Sequence, residues 1–225
     1  MVSKSRLIVA IDGPSGAGKG TVARALAARL DYRHIDTGAM YRALAWLAAR
    51  QGVDLADEAA VAALGECADF DVEGGRIAID GHDVKAAIRT PEIDKAAAAV
   101  ARHAAVRRVL VARQRGFGAS GGVVMEGRDI GTVVFPDADV KIYLDASPEE
   151  RARRRAADPA HTSSKTAQLS DVATALAERD KSDSTRAVSP LSVAPDATVL
   201  DTTGLSIDQV IERVLALIDE RQSLS

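Results

Sequence analysis

A single cysteine, Cys67, leaves this 225-residue chain no intrachain disulfide, which excludes a disulfide-framed scaffold and fits a reducing compartment. Its Ala-rich surroundings mark Cys67 as a core residue. No long apolar run is present either. The stretch between Arg6 and Asp12 is too short for a signal-peptide core or a membrane span, so a cytoplasmic location is expected. The four histidines, His34, His82, His103 and His161, show no ligand spacing and give no zinc site. Neither sign of charge dominates: the net charge is -3 and the pI near 5.8. Such a chain offers no global field for DNA or RNA, so any phosphate binding has to be local. No internal repeat is found.

What is present is an ordinary globular composition, 47% hydrophobic and 27% charged, with a mean hydropathy of -0.03. The length suits one main body with insertions. Leu7-Ile8-Val9-Ala10-Ile11 reads as a strand buried on both faces, which implies a parallel sheet. A helix from Lys19 to Leu30 follows, then a short strand near Arg33 to Ile35 and a helix from about Ala39 to Gln51, stopped by Gly52. Trp46 on that helix is expected to pack. Between about residues 54 and 90 the pattern changes to a short helix, Glu58 to Cys67, and turn signals at Gly74-Gly75 and Asp80-Gly81, which reads as a small α+β insertion able to move.

One helical pattern then runs from Pro91 to about Gln114. Two apolar strands, Val123–Met125 and Val140–Leu144, flank a loop from Glu126 to Asp139. Ser147, Pro148 and Glu150 open a helix with cap, first-position proline and capping-box signals. The polar stretch from Asp158 to Thr166 reads as a mobile lid tip. A last strand at Val199-Leu200 precedes a helix capped by Ser206 and Gln209, with Ile207, Val210, Ile211, Val214, Leu215 and Ile218 on one face. This alternation predicts an open, mostly parallel sheet with helices on both faces and ligands at the carboxyl ends of the strands.

Gly13-Pro14-Ser15-Gly16-Ala17-Gly18-Lys19 fits the Gly-x-x-x-x-Gly-Lys part of a P-loop, directly after a predicted strand and before a predicted helix. Backbone N–H groups, the positive helix end and Lys19 together make an anion cup for the β- and γ-phosphates of a nucleotide. Gly20 stands where a Ser or Thr usually follows the lysine, with Thr21 next, so Mg²⁺ is expected to be held through water. This motif alone says only that a nucleotide binds.

Longer blocks narrow the reading. Gly13 to Thr21, Asp36-Thr37-Gly38-Ala39-Met40-Tyr41-Arg42, Glu126-Gly127-Arg128-Asp129-Ile130-Gly131 onward to Ala138, and Glu178-Arg179-Asp180 through Arg186, followed by Ser189-Pro190-Leu191, resemble bacterial cytidylate kinases over nearly the whole chain. The resemblance implies a P-loop NTPase-type α/β/α fold with a core at residues 1–36, 104–150 and 171–225. It further implies a nucleoside monophosphate region at 37–103 containing the insertion, and a lid at 151–170. It implies transfer of the γ-phosphoryl of ATP, with Mg²⁺, to CMP or dCMP, by a monomer. Thr37 and Arg42 would take the CMP phosphate, Arg179 and Asp183 the ribose hydroxyls or phosphate, and Tyr41 would line the site. Where the family has a serine at the base this chain has Ala98, and where it commonly has an aspartate this chain has Glu126, a carboxylate able to orient Mg²⁺-bound water.

The chemistry of such a transfer agrees. An acceptor phosphate oxygen is already nucleophilic, so positioning and neutralisation matter more than a general base. Lys19, Arg42, Arg128, Arg179 and Arg186 are the candidate cations, because Arg forks match phosphate oxygens. Cytosine presents an N4 donor beside N3 and O2 acceptors, which a carboxylate paired with an arginine complements; Asp129 and Arg107 fit, and uracil reverses that pattern. Arg151, Arg154 and Arg155 share a helix face that can close over ATP, with Arg154 at adenine or phosphate and Arg153 turned away. A kinase for another small acceptor, and a regulatory nucleotide binder that transfers nothing, remain alternatives at this point.

Overall fold

The computed structural model of the chain describes residues 6–72, 75–158 and 168–223. The chain runs through β1 (Ile8–Asp12), α1 (Lys19–Leu30), β2 (Arg33–Asp36), α2 (Thr37–Gln51) and α3 (Glu58–Cys67). Three short strands follow, β3 (Phe70–Asp71), β4 (Ala78–Ile79) and β5 (His82–Asp83), then α4 (Pro91–Val100) and α5 (Ala104–Gly118). The remainder comprises β6 (Val123–Glu126), β7 (Val140–Asp145), α6 (Pro148–Ala157), α7 (Leu169–Thr185), β8 (Thr198–Asp201) and α8 (Ile207–Ser223).

Strands β1, β6 and β7 are buried along most of their length, Lys141 included, and pair with one another at the centre of a five-stranded sheet ordered β2-β6-β1-β7-β8. Every pairing in it is parallel. Side chains alternate between the faces. Ala10, Ile35, Val123 and Met125 meet Met40 and Leu44 of α2 and Leu110 of α5 on one side. Val9, Ile11, Val124, Ile142 and Leu144 meet Val22 and Leu26 of α1 and Val210, Val214 and Ile218 of α8 on the other. Each fully buried Leu or Ile contributes roughly 1.5–3 kcal/mol. Strand order changes direction beside β1, which opens a crevice at its carboxyl end.

Strands β3, β4 and β5 form a separate antiparallel sheet. Asp80 and Gly81 close the β4–β5 hairpin with φ of 49° and 74°, the positive values that a two-residue type I′ turn requires. The expected Gly74-Gly75 turn lies partly outside the described residues, as does nearly all of the expected lid tip. Trp46 packs from α2 towards this sheet, its ring 5.9 Å from that of His82. No described helix is long and apolar enough to cross a membrane.

Several expectations need correction. The single helix expected over 91–114 is two, broken at residues 101–103. No glycine or proline marks the break; His103 Nε2 is tied to Leu55 O at 2.8 Å, and the Ala105 amide donates to Glu58 Oε1 at 2.6 Å. The segment expected as a loop after β6 contains a π-helical turn, Ile130–Val134. Cys67 is exposed, not core, because α3 buries Val61, Ala62 and Gly65, a stripe from which position 67 points away. Ile207 is 50% exposed although its helical neighbours Val210 and Ile211 are buried. Ser206 and Gln209 do form the reciprocal cap, at 2.9 and 3.3 Å.

Candidate active site

The crevice beside β1 is a cleft of about 1620 Å³. Its floor is the loop from β1 to α1. Gly13 has φ 145°, and a Cβ there would lie 2.0 Å from Leu144 O, so only glycine lets the chain pass β7. Gly18 sits in the left-handed region at the N-cap of α1, with φ 93°, turning the amides that follow towards the cleft. Lys19 is buried, and its Nζ donates to Pro14 O at 2.7 Å. Burial, reinforced by Arg128, lowers its pKa to about 7. Ser15 is clasped from below: its amide donates to Asp180 Oδ1 at 2.9 Å and its Oγ accepts from Arg128 at 2.8 Å.

Around the loop, three segments bring cations together: α2 with Arg42, the turn after β6 with Arg128, and α7 with Arg179. Asp36 caps α2 through the Ala39 amide at 2.9 Å and holds Arg42 at 2.9 Å. Burial pushes the Asp36 carboxyl up, but Arg42 and the Ala39 amide more than offset it. Arg128 donates to Asp183 Oδ2 at 2.8 Å. Burial also opposes the charge on Asp183, and Arg128 and Arg179 hold its pKa below the usual carboxylate range. Arg179 itself is lowered to about 10, by burial and by Arg128. Thr37 Oγ1 donates to Glu126 O at 2.7 Å, placing the start of α2 against the end of β6.

Deeper in, Arg107 and Asp129 form a buried pair at 2.5 Å. Arg186 lies 3.7 Å from the other Asp129 oxygen, and the Arg107 guanidinium stands over the Tyr41 ring at 5.4 Å. Burial raises the Tyr41 hydroxyl to about 12. The methyl groups of Ala97, Ala98 and Ala101 face the same space.

Arg151 and Arg154 of α6 both reach the loop, and Arg155 beside them reaches α4. Arg151 reaches Asp180 and Ser15 O beneath the loop. Arg154 spans Glu150, Ala17 O and Thr202. Arg155 reaches across to Asp94 of α4, which also lies 3.7 Å from Arg179. Arg153, expected to turn away, pairs with Glu150 and lines the mouth of the cleft. Gly16, Ala17, Gly20 and Thr21 line the floor; among the expected site residues Gly13, Pro14 and Arg151 lie behind the cleft surface. Sequence reasoning missed Asp94 and Asp180, which act on arginines from other elements, and His34, whose Nε2 is 3.0 Å from Glu126 Oε1. Only the Glu-Arg-Asp block gave a signal for Asp180. Among the described residues no group of three His, Cys, Asp or Glu side chains could hold a metal alone.

Comparison with known proteins supplies a name for this arrangement. The family profile described as cytidylate kinase matches residues 9–220. A cytidylate kinase of Solibacter usitatus is 50% identical over 97% of this chain and 94% of its own length. One of Geobacter sulfurreducens is 48% identical over 96% and 94%. A bifunctional pantoate ligase/cytidylate kinase of Prochlorococcus marinus is 49% identical, this chain spanning 44% of its length. Among solved structures, a shikimate kinase of Acinetobacter baumannii superposes with a TM-score of 0.51 at 15% identity, covering 96% of this chain and 95% of that one, which is a likeness of fold. With a phosphate-binding loop facing a buried Arg–Asp pair across one cleft, and with that match along nearly its whole length, the chain belongs to the cytidylate kinase family.

Proposed function

We propose that this chain transfers the γ-phosphoryl group of ATP to CMP, and to dCMP, by direct in-line displacement. The observation that carries this reading is the two-ended cleft. At one end the loop amides and Lys19 can take the phosphates of ATP; at the other, the buried Asp129–Arg107 pair is complementary to the N4 donor and N3 acceptor of cytosine. Arg42 and Arg128 lie between the ends and take the acceptor phosphate with Thr37, while Arg179 and Asp183 meet the ribose. Lys19, Arg128, Arg179 and Arg186 neutralise charge as the phosphoryl group crosses. Tyr41 closes the base end. Ala98 offers no hydroxyl, so base choice falls on Asp129 and Arg107. Arg154 holds the floor near the ATP end.

Mg²⁺ fits the residues present. A Cβ at Gly20 would lie 3.0 Å from Glu126 Oε1, so this carboxylate fills the space in which the usual P-loop hydroxyl would stand. A lone carboxylate suits an ion that keeps its waters and takes substrate oxygens; Glu126 and Thr21 would hold it through water. When bound, the metal neutralises the β- and γ-phosphates. We place the reaction in the cytoplasm, carried out by a monomer.

Arg42→Ala tests the reading against a regulatory nucleotide binder. Losing one charge-assisted contact of about 2 kcal/mol should weaken CMP binding roughly 30-fold while ATP binding stays unchanged. Equal losses for both nucleotides, or none, would argue against two nucleotide sites.

A further inference from the structure

The end of β1 carries a buried carboxylate for which the transfer described above has no use. Asp12 is 5% exposed, and its oxygens accept from Ile130 N at 2.8 Å and Gly131 N at 2.7 Å. Both partners are neutral backbone amides. Desolvation raises its pKa to about 6, with the two amides pulling the other way; Asp129 and Lys19 act on it through space, and Tyr143 and Lys141 of β7 face the same region. A carboxylate offers an acceptor oxygen to each of these two buried amides, whereas an asparagine would leave one unpaired and an apolar side chain both, so the cost of burying the charge is tied to the turn it caps.

The two bonds join the two halves of the site. Asp12 directly precedes Gly13 and the phosphate-binding loop, whereas Ile130 and Gly131 open the π-helical turn that directly follows Arg128 and Asp129. Asp129 is the N-cap residue of that turn, yet its side chain makes no cap bond. An aspartate at an N-cap ordinarily folds back onto the amides that follow it. Here Asp12 takes those amides, and the Asp129 carboxylate is left to Arg107. A backbone bond from Gly127 N to Ile11 O, 3.0 Å, supports the same junction. At position 131 a Cβ would come 3.2 Å from Lys141 Cδ and 3.4 Å from Asp12 Oδ2, so the glycine admits the close approach.

We propose that Asp12 is a positioning residue: by capping the turn after Asp129 it keeps Asp129 turned towards Arg107 and the cytosine edge, in register with the phosphate-binding loop. The inference rests on the acceptor site assigned above. It predicts a loss of base discrimination, not merely of activity, when the cap is weakened.

Asp12→Asn keeps the volume but offers one acceptor oxygen and one amine, so one of the two amides loses its partner. Steady-state rates with CMP and UMP, taken with the melting temperature, read the effect. The expected result is a fall of about ten-fold in the CMP-to-UMP ratio of kcat/KM in a folded variant, with ATP affinity within about two-fold of wild type. A ratio unchanged within about two-fold, with both acceptors slowed alike, would overturn the inference and leave Asp12 structural. Failure of the wild type to phosphorylate CMP would instead overturn the acceptor assignment. A wild-type measurement holds even if the variant does not fold: the Ile130 and Gly131 amide resonances should titrate together with a midpoint near the raised value of Asp12, about 6. Ile130 and Gly131 amides that do not move together anywhere between about pH 3 and about pH 8, which spans the ordinary and the raised carboxylate range, would refute the cap.

Discussion

Binding of ATP should draw a proton onto Lys19. In the free chain its pKa falls from 10.5 to about 7, a bias of about 5 kcal/mol against the charged form at 1.36 kcal/mol per unit. Burial is the largest cause, and Arg128 and Arg179 add repulsion. A triphosphate seated in the loop supplies the missing counter-charge and raises the pKa again. At about pH 8 only about a tenth of the free enzyme carries the proton, so binding should take up about 0.9 proton, against about 0.5 at about pH 7. Because protonation accompanies binding, ATP affinity should fall by nearly ten-fold per unit above about pH 8. Calorimetry of ATP binding without acceptor, in two buffers of different ionisation enthalpy, gives the proton count directly. Lys19→Met provides the reference, since it removes this group and leaves any titration of the nucleotide itself. Uptake below about 0.2 proton at about pH 8, or equal uptake in Lys19→Met, would refute the argument.

Two further outcomes follow from the packing. Asp129→Ala strands the Arg107 guanidinium, which is 3% exposed and 2.5 Å from its partner; breaking such a pair costs about 3–5 kcal/mol, so the melting temperature should drop by about 10 °C. The KM for CMP should also rise far more than that for ATP, and equal rises would remove Asp129 from base recognition. Gly13→Ala forces a Cβ to within 2.0 Å of Leu144 O at φ 145°; urea unfolding should show a loss above about 3 kcal/mol, and a midpoint near wild type would contradict the backbone reading.

The parts of this fold legible in the sequence are those whose cause is local. The β1 run, the glycine spacing before Lys19, the Asp80-Gly81 turn and the Ser206–Gln209 cap all form from neighbours in the chain. The Arg107–Asp129 pair joins residues 22 apart, and only the donor and acceptor pattern of a base suggested it. Elsewhere the cause lies across the fold. The break between α4 and α5 depends on Leu55 and Glu58, which no local signal announces. The partners of the α6 arginines, Asp180, Thr202 and Asp94, come from three other places. Helical spacing alone could not have shown that. Cys67 misled through its Ala-rich neighbours, which describe composition and not the direction of a side chain on α3.

The central claim is that a cytosine nucleotide is the acceptor. ADP release, coupled to a spectrophotometric readout, should be followed with ATP and Mg²⁺ against CMP, dCMP, UMP, AMP, GMP and no acceptor. Fast turnover with CMP and dCMP, slow or absent with the others, is the predicted result; preferred turnover with another acceptor, or none with any, would contradict it.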